Sequence, residues 1–239
     1  MTKQQVFITG ASSDIGIAIC KMYLEEGHHV VGHFHNGRPG FFDLVKGSPD
    51  MTSVQIDFSD PQNLEDALKQ TPEMFMGSDV IVNASAIYES TPFANITPQA
   101  IMHALTVNML PGIQLMRTVA PAMAKRGWGR IVHLSSIGVK FGGGSNSFVY
   151  ALSKHAMEFL PSDHKSWAAR NVFVNTLRVG VTDTRLHDKN SAKNLEKRIA
   201  MIPAGRMATP EEIARAVYWH GSENNSFTTG QTIAVAGGE

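Results

Sequence analysis

Tyr150 and Lys154 stand four residues apart in Tyr150-Ala151-Leu152-Ser153-Lys154, a spacing that puts a phenol and an ammonium on one face of a helix. A phenol with a pKa near ~10 is a poor acid–base group at neutral pH. A neighbouring cation stabilises the phenolate and lowers that value, which suits proton exchange with an alcohol or carbonyl oxygen. A second chemical signal lies near the other end of the chain. The β-branched run Val6–Thr9 is followed by Gly10-Ala11-Ser12-Ser13-Asp14-Ile15-Gly16 and then by a helical pattern. Gly10 suits a tight turn, and small residues at 11–13 let the backbone approach a pyrophosphate. Gly16 allows close helix–strand packing, and the helix start offers free N–H groups to an anion. Gly10, Ser12, Ser13, Asp14, Ile15 and Gly16 are therefore candidate nucleotide-binding residues. Asp14 stands where a third glycine would be comfortable, and its carboxylate repels phosphate unless it points to solvent or caps the helix. We read it as a cap.

The second strand ends in Gly32-His33-Phe34-His35-Asn36-Gly37-Arg38, with no acid to bind the adenosine ribose hydroxyls. His35, Asn36 and Arg38 offer partners to a 2′-phosphate instead, which favours NADP(H) and leaves NAD(H) as the alternative. Ten histidines raise the question of a metal. His33 and His35 share a strand face, but no third ligand follows at ligand spacing, so no metal is expected. His133, in mid-strand, reads as a packed core residue.

These groups need a scaffold. The 239 residues carry 21 Lys+Arg against 21 Asp+Glu, a formal net charge of zero that argues against a nucleic-acid or anionic-membrane binder. Apolar residues make up 43%, enough for a core. The single cysteine, Cys20, excludes an intramolecular disulfide and any multi-cysteine zinc site. The sequence enters a strand-like run without a secretory pattern, and no apolar run reaches ~18 residues, so a cytoplasmic location is expected. Strand candidates are Val6–Thr9, His29–Phe34, Ser53–Ile56, Val80–Asn83, Ile131–Leu134, Phe173–Leu177 and Thr232–Val235. Ile15, Ile19, Met22 and Tyr23 share a helix face, as do Leu64, Ala67 and Leu68 after an Asp60-Pro61 start. Thr209 is a predicted N-cap before Pro210. The long pattern from Ile101 to Arg126 predicts a helix kinked at Pro111 and restarted at Pro121. Alternating strands and helices predict an α/β fold. We expect a single doubly wound Rossmann-type domain over residues 1–239, with about seven parallel strands and helices on both faces.

In conjunction these segments resemble the short-chain dehydrogenase/reductase family over nearly the whole chain. Thr9–Gly16 resembles its cofactor turn, with Asp14 in place of a glycine. Val82-Asn83-Ala84-Ser85-Ala86 resembles an altered Asn-Asn-Ala-Gly element. Asn108 matches the asparagine of its long helix, Gly129 to Ser136 the strand ending in the catalytic serine, and Tyr150 and Lys154 its Tyr-x-x-x-Lys. Val174-Asn175 through Gly180 and Thr184 resembles the nicotinamide segment. The C-terminal elements are similar to 3-oxoacyl-carrier-protein reductases. The resemblance implies that Tyr150 exchanges the proton, Lys154 lowers its pKa and holds the nicotinamide ribose, Ser136 binds the substrate oxygen, and Asn108 holds a relay water. It adds Asp57, Phe58, Asn83, Ala84, Ser85, Gly180, Val181, Thr182 and Thr184 to the cofactor site. Ser136 stands 14 positions before Tyr150, and Ser135 is expected to face the other way.

Val179 departs from the family's usual proline, and Pro161 is expected to kink or shorten the helix carrying Lys154. A substrate lid is expected near 185–201, where Arg185, His187, Lys189, Lys193, Lys197 and Arg198, with Arg178 and Lys140 nearby, give a local positive excess. That charge suits an anionic carrier such as acyl-carrier protein or a coenzyme A thioester, although a solvated helix face explains it too. The implied activity is reduction of a 3-oxoacyl thioester, polyketide-like or other ketone by a homodimer or homotetramer. The alternatives are a sugar, pterin or small-metabolite dehydrogenase, or a catalytically degenerate nucleotide-binding sensor.

Overall fold

The computed structural model describes residues 3–185 and 192–239. Its strands are β1 (Gln5–Thr9), β2 (His29–Phe34), β3 (Met51–Gln55), β4 (Val80–Asn83), β5 (Gly129–Ser136), β6 (Val172–Val179) and β7 (Thr232–Val235). They form one parallel sheet in the order β3-β2-β1-β4-β5-β6-β7. The chain direction across the sheet reverses between β1 and β4, and in such sheets the crevice beyond the strand C-termini at that point takes the ligand. The first three helices are α1 (Asp14–Glu25), α2 (Pro39–Gly47) and α3 (Pro61–Gln70). They are followed by α4 (Pro72–Met76), α5 (Pro98–Asn108), α6 (Leu110–Arg126) and α7 (Phe148–Ala156). The last three are α8 (His164–Ala168), α9 (Ala192–Ala200) and α10 (Pro210–Gly221).

Side chains alternate between the sheet's two faces, so each strand feeds two cores. Val6 and Ile8 join Ile19, Tyr23, Ile213 and Val217 under α1 and α10. Phe7, Ile81 and Ile131 join Leu64, Leu115 and Met123 under α3 and α6. The expected strands are all present, but β5 and β6 run longer than their apolar centres and pair over eight residues. Polar residues at their ends, Arg130, Ser135 and Arg178, hid that length, because each side chain finds partners inside the protein.

Helix starts follow their capping chemistry. Asp60 accepts the Gln62 N–H (2.9 Å) ahead of α3, and Thr209 with Glu212 closes a reciprocal capping box on α10. On α1 the expectation fails. Ser13 is the cap, accepting the Gly16 N–H at 3.0 Å, and Asp14 is the first helical residue. Pro111 does more than kink the long helix. It lies in the first turn of α6, separated from α5 by Met109, whereas Pro121 sits inside α6 and restarts nothing. Pro161 falls beyond α7, which stops at Ala156 after nine residues.

Candidate functional site

Beyond the C-terminal ends of β4 and β5, α7 brings the Tyr150 phenol near the Ser136 hydroxyl, which favours its ionised form. Ser136 also accepts the Gly138 N–H at 3.1 Å, which fixes its rotamer. Lys154, buried, donates through Nζ to the Leu134 carbonyl (2.8 Å) and the Ser85 carbonyl (3.4 Å), and lies 5.9 Å from the Tyr150 ring centroid. Burial lowers the Lys154 ammonium to about 8. Burial also raises the Tyr150 phenol to about 12, against the pull of the nearby Ser136 hydroxyl and with a further push from the Tyr88 phenol. Acidification of Tyr150 by Lys154, expected from the spacing, is therefore not met in this arrangement. The ammonium is committed to two carbonyls, and desolvation of the phenol outweighs its field. Ser135 turns to the opposite side, donating to the Lys154 carbonyl (3.2 Å) and to Glu158 Oε1 (2.7 Å).

Asn108 is buried, and its side chain is held by its neighbours. Its Oδ1 accepts the Ile87 N–H (2.8 Å), and its Nδ2 donates to the Ile87 carbonyl (3.1 Å) and Ser153 Oγ (2.9 Å). The side chain thus clamps the start of the loop after β4. Next along that loop, Tyr88 sets its ring edge-to-face on Tyr150, with centroids 5.4 Å apart.

The glycine turn lies beside this cluster. Gly10 has φ +65°, and a Cβ there would come within 2.7 Å of the Ser85 Cα; a Cβ on Gly16 would lie 2.2 Å from the Gly10 carbonyl. Neither position admits a side chain, so the turn packs bare backbone against the end of β4, the place where open α/β sheets take a dinucleotide pyrophosphate. Thr9 Oγ1 accepts the N–H groups of Ala84 (3.0 Å) and Ser85 (3.1 Å) and bonds Ser85 Oγ (3.2 Å), tying β1 to the end of β4. Gly10 N–H donates to His33 Nδ1 (3.1 Å), and His33 Nε2 in turn donates to the Ile56 carbonyl (2.9 Å). Burial lowers His33 to about 4, so it is neutral. Its ring stacks on Phe58 at 3.9 Å, which commits the Phe58 ring to packing and leaves its backbone as the part able to meet a nucleotide.

Several other candidates are engaged among themselves. Asn83 Nδ2 donates to His133 Nδ1 (2.9 Å), and Ser12 Oγ reaches the Asn36 carbonyl (3.4 Å). His35 stands 3.6 Å from Asp57, whose carboxyl is held low by the Ser59 N–H. Thr182 Oγ1 donates to the Gly180 carbonyl (3.0 Å), the Val181 carbonyl accepts the Ala208 N–H (2.9 Å), and Gly180 packs too closely on Ala236 to carry a Cβ. Ile15 packs into the core. Thr184, Lys21 and Asp14 line a groove of about 370 Å³ between α1 and the start of α10.

Asp14 has a partner set that the sequence did not suggest. Its carboxylate accepts the Arg185 N–H (3.0 Å), Arg185 Nε (2.9 Å) and Nη2, and stands 3.4 Å from Arg38 Nη1. Despite partial burial, these donors hold it below the usual carboxylate range. The expected positive excess near the lid is accordingly reduced. Arg185 faces Asp14, Arg178 makes a two-pronged pair with Glu158 (2.8 and 2.7 Å), and Arg198 meets Glu239 (2.6 Å). Lys140 lies 5.5 Å from the Phe141 ring centroid. His187 and Lys189 lie outside the described residues, as does the Lys193 side chain. Among the described residues no cluster of His, Cys, Asp or Glu is arranged for a metal ion, and no helix is long and apolar enough to cross a membrane.

Tyr88, Ser153, Glu158 and Arg185 are the site-shaping residues that sequence reading missed or misplaced. Ser153, between the two marked residues, donates to the Tyr150 carbonyl (2.8 Å) and was legible from its helix position. The others act across long separations with no local signal.

Comparison with known proteins agrees with this architecture. The family described as enoyl-(acyl carrier protein) reductase matches residues 10–239. The 3-oxoacyl-(acyl-carrier-protein) reductase FabG of Vibrio cholerae is 29% identical over 236 residues, 97% of this chain and 95% of that protein. An uncharacterized oxidoreductase of Schizosaccharomyces pombe is 30% identical over 241 residues, 98% of this chain and 89% of that protein. The crystal structure of a 3-oxoacyl (acyl-carrier-protein) reductase from Agrobacterium tumefaciens C58, with NADP bound, is 25% identical and superposes with a TM-score of 0.87. The match covers 99% of this chain and 94% of that one. A match running from the glycine turn to the last residue, on a parallel sheet with its strand order reversing at that turn, makes this chain a member of the short-chain dehydrogenase/reductase family.

Proposed function

We propose that the protein is an NADP(H)-dependent ketoreductase that reduces a 3-oxoacyl thioester or a related ketone to the alcohol. The observation that carries the reading is the approach of the Tyr150 phenol to the Ser136 hydroxyl, with the Lys154 ammonium beside them and the cradle of the glycine turn adjacent. A reduced nicotinamide dinucleotide bound in that cradle supplies the hydride. Ser136 donates to the substrate carbonyl oxygen and stabilises the charge that develops there. Tyr150, with a phenol raised to about 12, is protonated at neutral pH and gives its proton to that oxygen, which suits the reductive direction. Lys154 supplies a positive field that stabilises the resulting phenolate. Gly10, Ser12, Ser13, Ile15 and Gly16 line the pyrophosphate cradle, and Gly180, Val181, Thr182 and Thr184 flank the nicotinamide end. Arg38 takes the 2′-phosphate, with Asn36 beside it.

The substrate class leans on relatives: besides the 3-oxoacyl reductases, an acetoacetyl-CoA reductase of Cupriavidus necator is 28% identical over 245 residues. A carrier-bound substrate, a homodimeric or homotetrameric assembly in the cytoplasm, and a single domain over residues 1–239 complete the proposal. The test follows reduced-cofactor absorbance with a panel of 3-oxoacyl thioesters and simple ketones. Tyr150→Phe should lower kcat by roughly 10²–10⁴-fold and leave NADPH binding in place. Nucleotide binding without turnover on any substrate would overturn the enzyme reading in favour of a sensor.

A further inference from the structure

A carboxylate at the first residue of α1 is in the wrong place for a phosphate-binding turn, and its partners are those a phosphate would take. Asp14 accepts one main-chain N–H, two guanidinium nitrogens of Arg185 and one more from Arg38. Anions bound at helix starts are held by the same chemistry of N–H groups and arginine forks. The two arginines are held unequally. Arg185 is bound through three donors, whereas Arg38 makes one long contact of 3.4 Å. Arg38 also precedes α2 immediately after the β2 loop, beside the cradle.

We propose that the Asp14 carboxylate is an internal stand-in for nucleotide phosphate, occupying the groove's arginine donors until a phosphate displaces it from Arg38. The proposal rests on the NADP(H) reading above and adds a residue that sets how tightly that nucleotide is held. A 2′-phosphate binding Arg38 breaks the weak Arg38–Asp14 contact and meets the remaining negative charge of Asp14. Both effects oppose binding and hasten release. NAD(H), lacking that phosphate, is affected less, so Asp14 narrows the preference between the two nucleotides. Arg185 stays with Asp14 throughout.

The experiment measures Kd and dissociation rates of NADPH and NADH by nucleotide fluorescence on the full chain. It compares wild type with Asp14→Asn and Asp14→Ser, and thermal unfolding confirms that each variant is folded. We expect Asp14→Asn to tighten NADPH about tenfold, mostly through slower release, and to tighten NADH about twofold. The gain should shrink in 0.5 M salt, and Arg38→Ala should erase it in the double variant. NADPH affinity unchanged or weakened by both Asp14 variants, with wild type still binding, overturns this inference alone. Wild type that binds neither nucleotide overturns the NADP(H) reading as well.

Discussion

At Tyr150 the phenol and the ammonium beside it are perturbed in opposite ways by the same cause. Burial keeps the phenol protonated and brings Lys154 to about 8, within reach of mild alkali. For ketone reduction, kcat/KM should hold through neutral pH and fall as pH rises through about 8, when Lys154 loses its charge; Lys154→Arg should flatten that limb at reduced overall rate. A profile that rises through pH 9 would contradict the role of the ammonium. The linkage sign is opposite for stability. The folded value lies below the unfolded one, so the penalty of burying the ammonium is full below about pH 8 and vanishes above the ordinary lysine range. The Tyr-x-x-x-Lys spacing was legible because both residues lie on one short helix. The direction of the Tyr150 shift was not, because it depends first on desolvation by the surrounding fold and then on Tyr88, which packs in from a distant loop.

Among elements, the turn between β1 and α1 and the helix α7 depend on contacts of different reach. Gly16→Ala should destabilise the fold by about 1–3 kcal/mol and abolish dinucleotide binding, because its Cβ would meet the Gly10 carbonyl; denaturant titration and nucleotide fluorescence check it. Just beyond α7, Glu158 joins Arg178 on β6 to Ser135 on β5, beneath the Lys154 carbonyl. Glu158→Gln leaves Arg178 without a counter-charge and should cost roughly 3 kcal/mol, well beyond the ~1 kcal/mol expected for Thr209→Ala at the α10 cap. Equal losses in urea titrations of the two variants would deny Glu158 that importance. The strands, the proline starts of α3 and α10 and the caps before them could be read from short windows. The pairing of Asp14 with Arg185 could not, since 171 residues separate them and only the assembled fold brings them together.

Across the whole molecule, two buried neutral histidines set an acid limit. His33 and His133 are each lowered to about 4 by burial, against an ordinary value near 6.5. The unfolded chain takes up protons that the folded one refuses, so stability should decline progressively as pH falls from about 6.5 to 4. Urea midpoints between pH 7 and 4 measure this, and His133→Asn should reduce the slope; a midpoint constant over that range would contradict it. The doubly wound order was legible because β-branched runs and helical periods alternate along the full length. The length of the helix carrying Lys154 was less so, since α7 ends at Ala156 and leaves Phe159 exposed, an ending that Pro161 foretold only in outline. The clamp of Asn108 on both backbone groups of Ile87 has an engineering consequence. It bolts the root of the segment that follows, and farther along the Thr91 N–H on the Asn146 carbonyl (2.9 Å) and the Phe93 ring edge-to-face on Phe148 (5.0 Å) seat that segment against the start of α7. Stretches grafted from other enzymes between Glu89 and Thr97 would thus diversify what is recognised without moving the reacting hydroxyl only where they keep those two contacts.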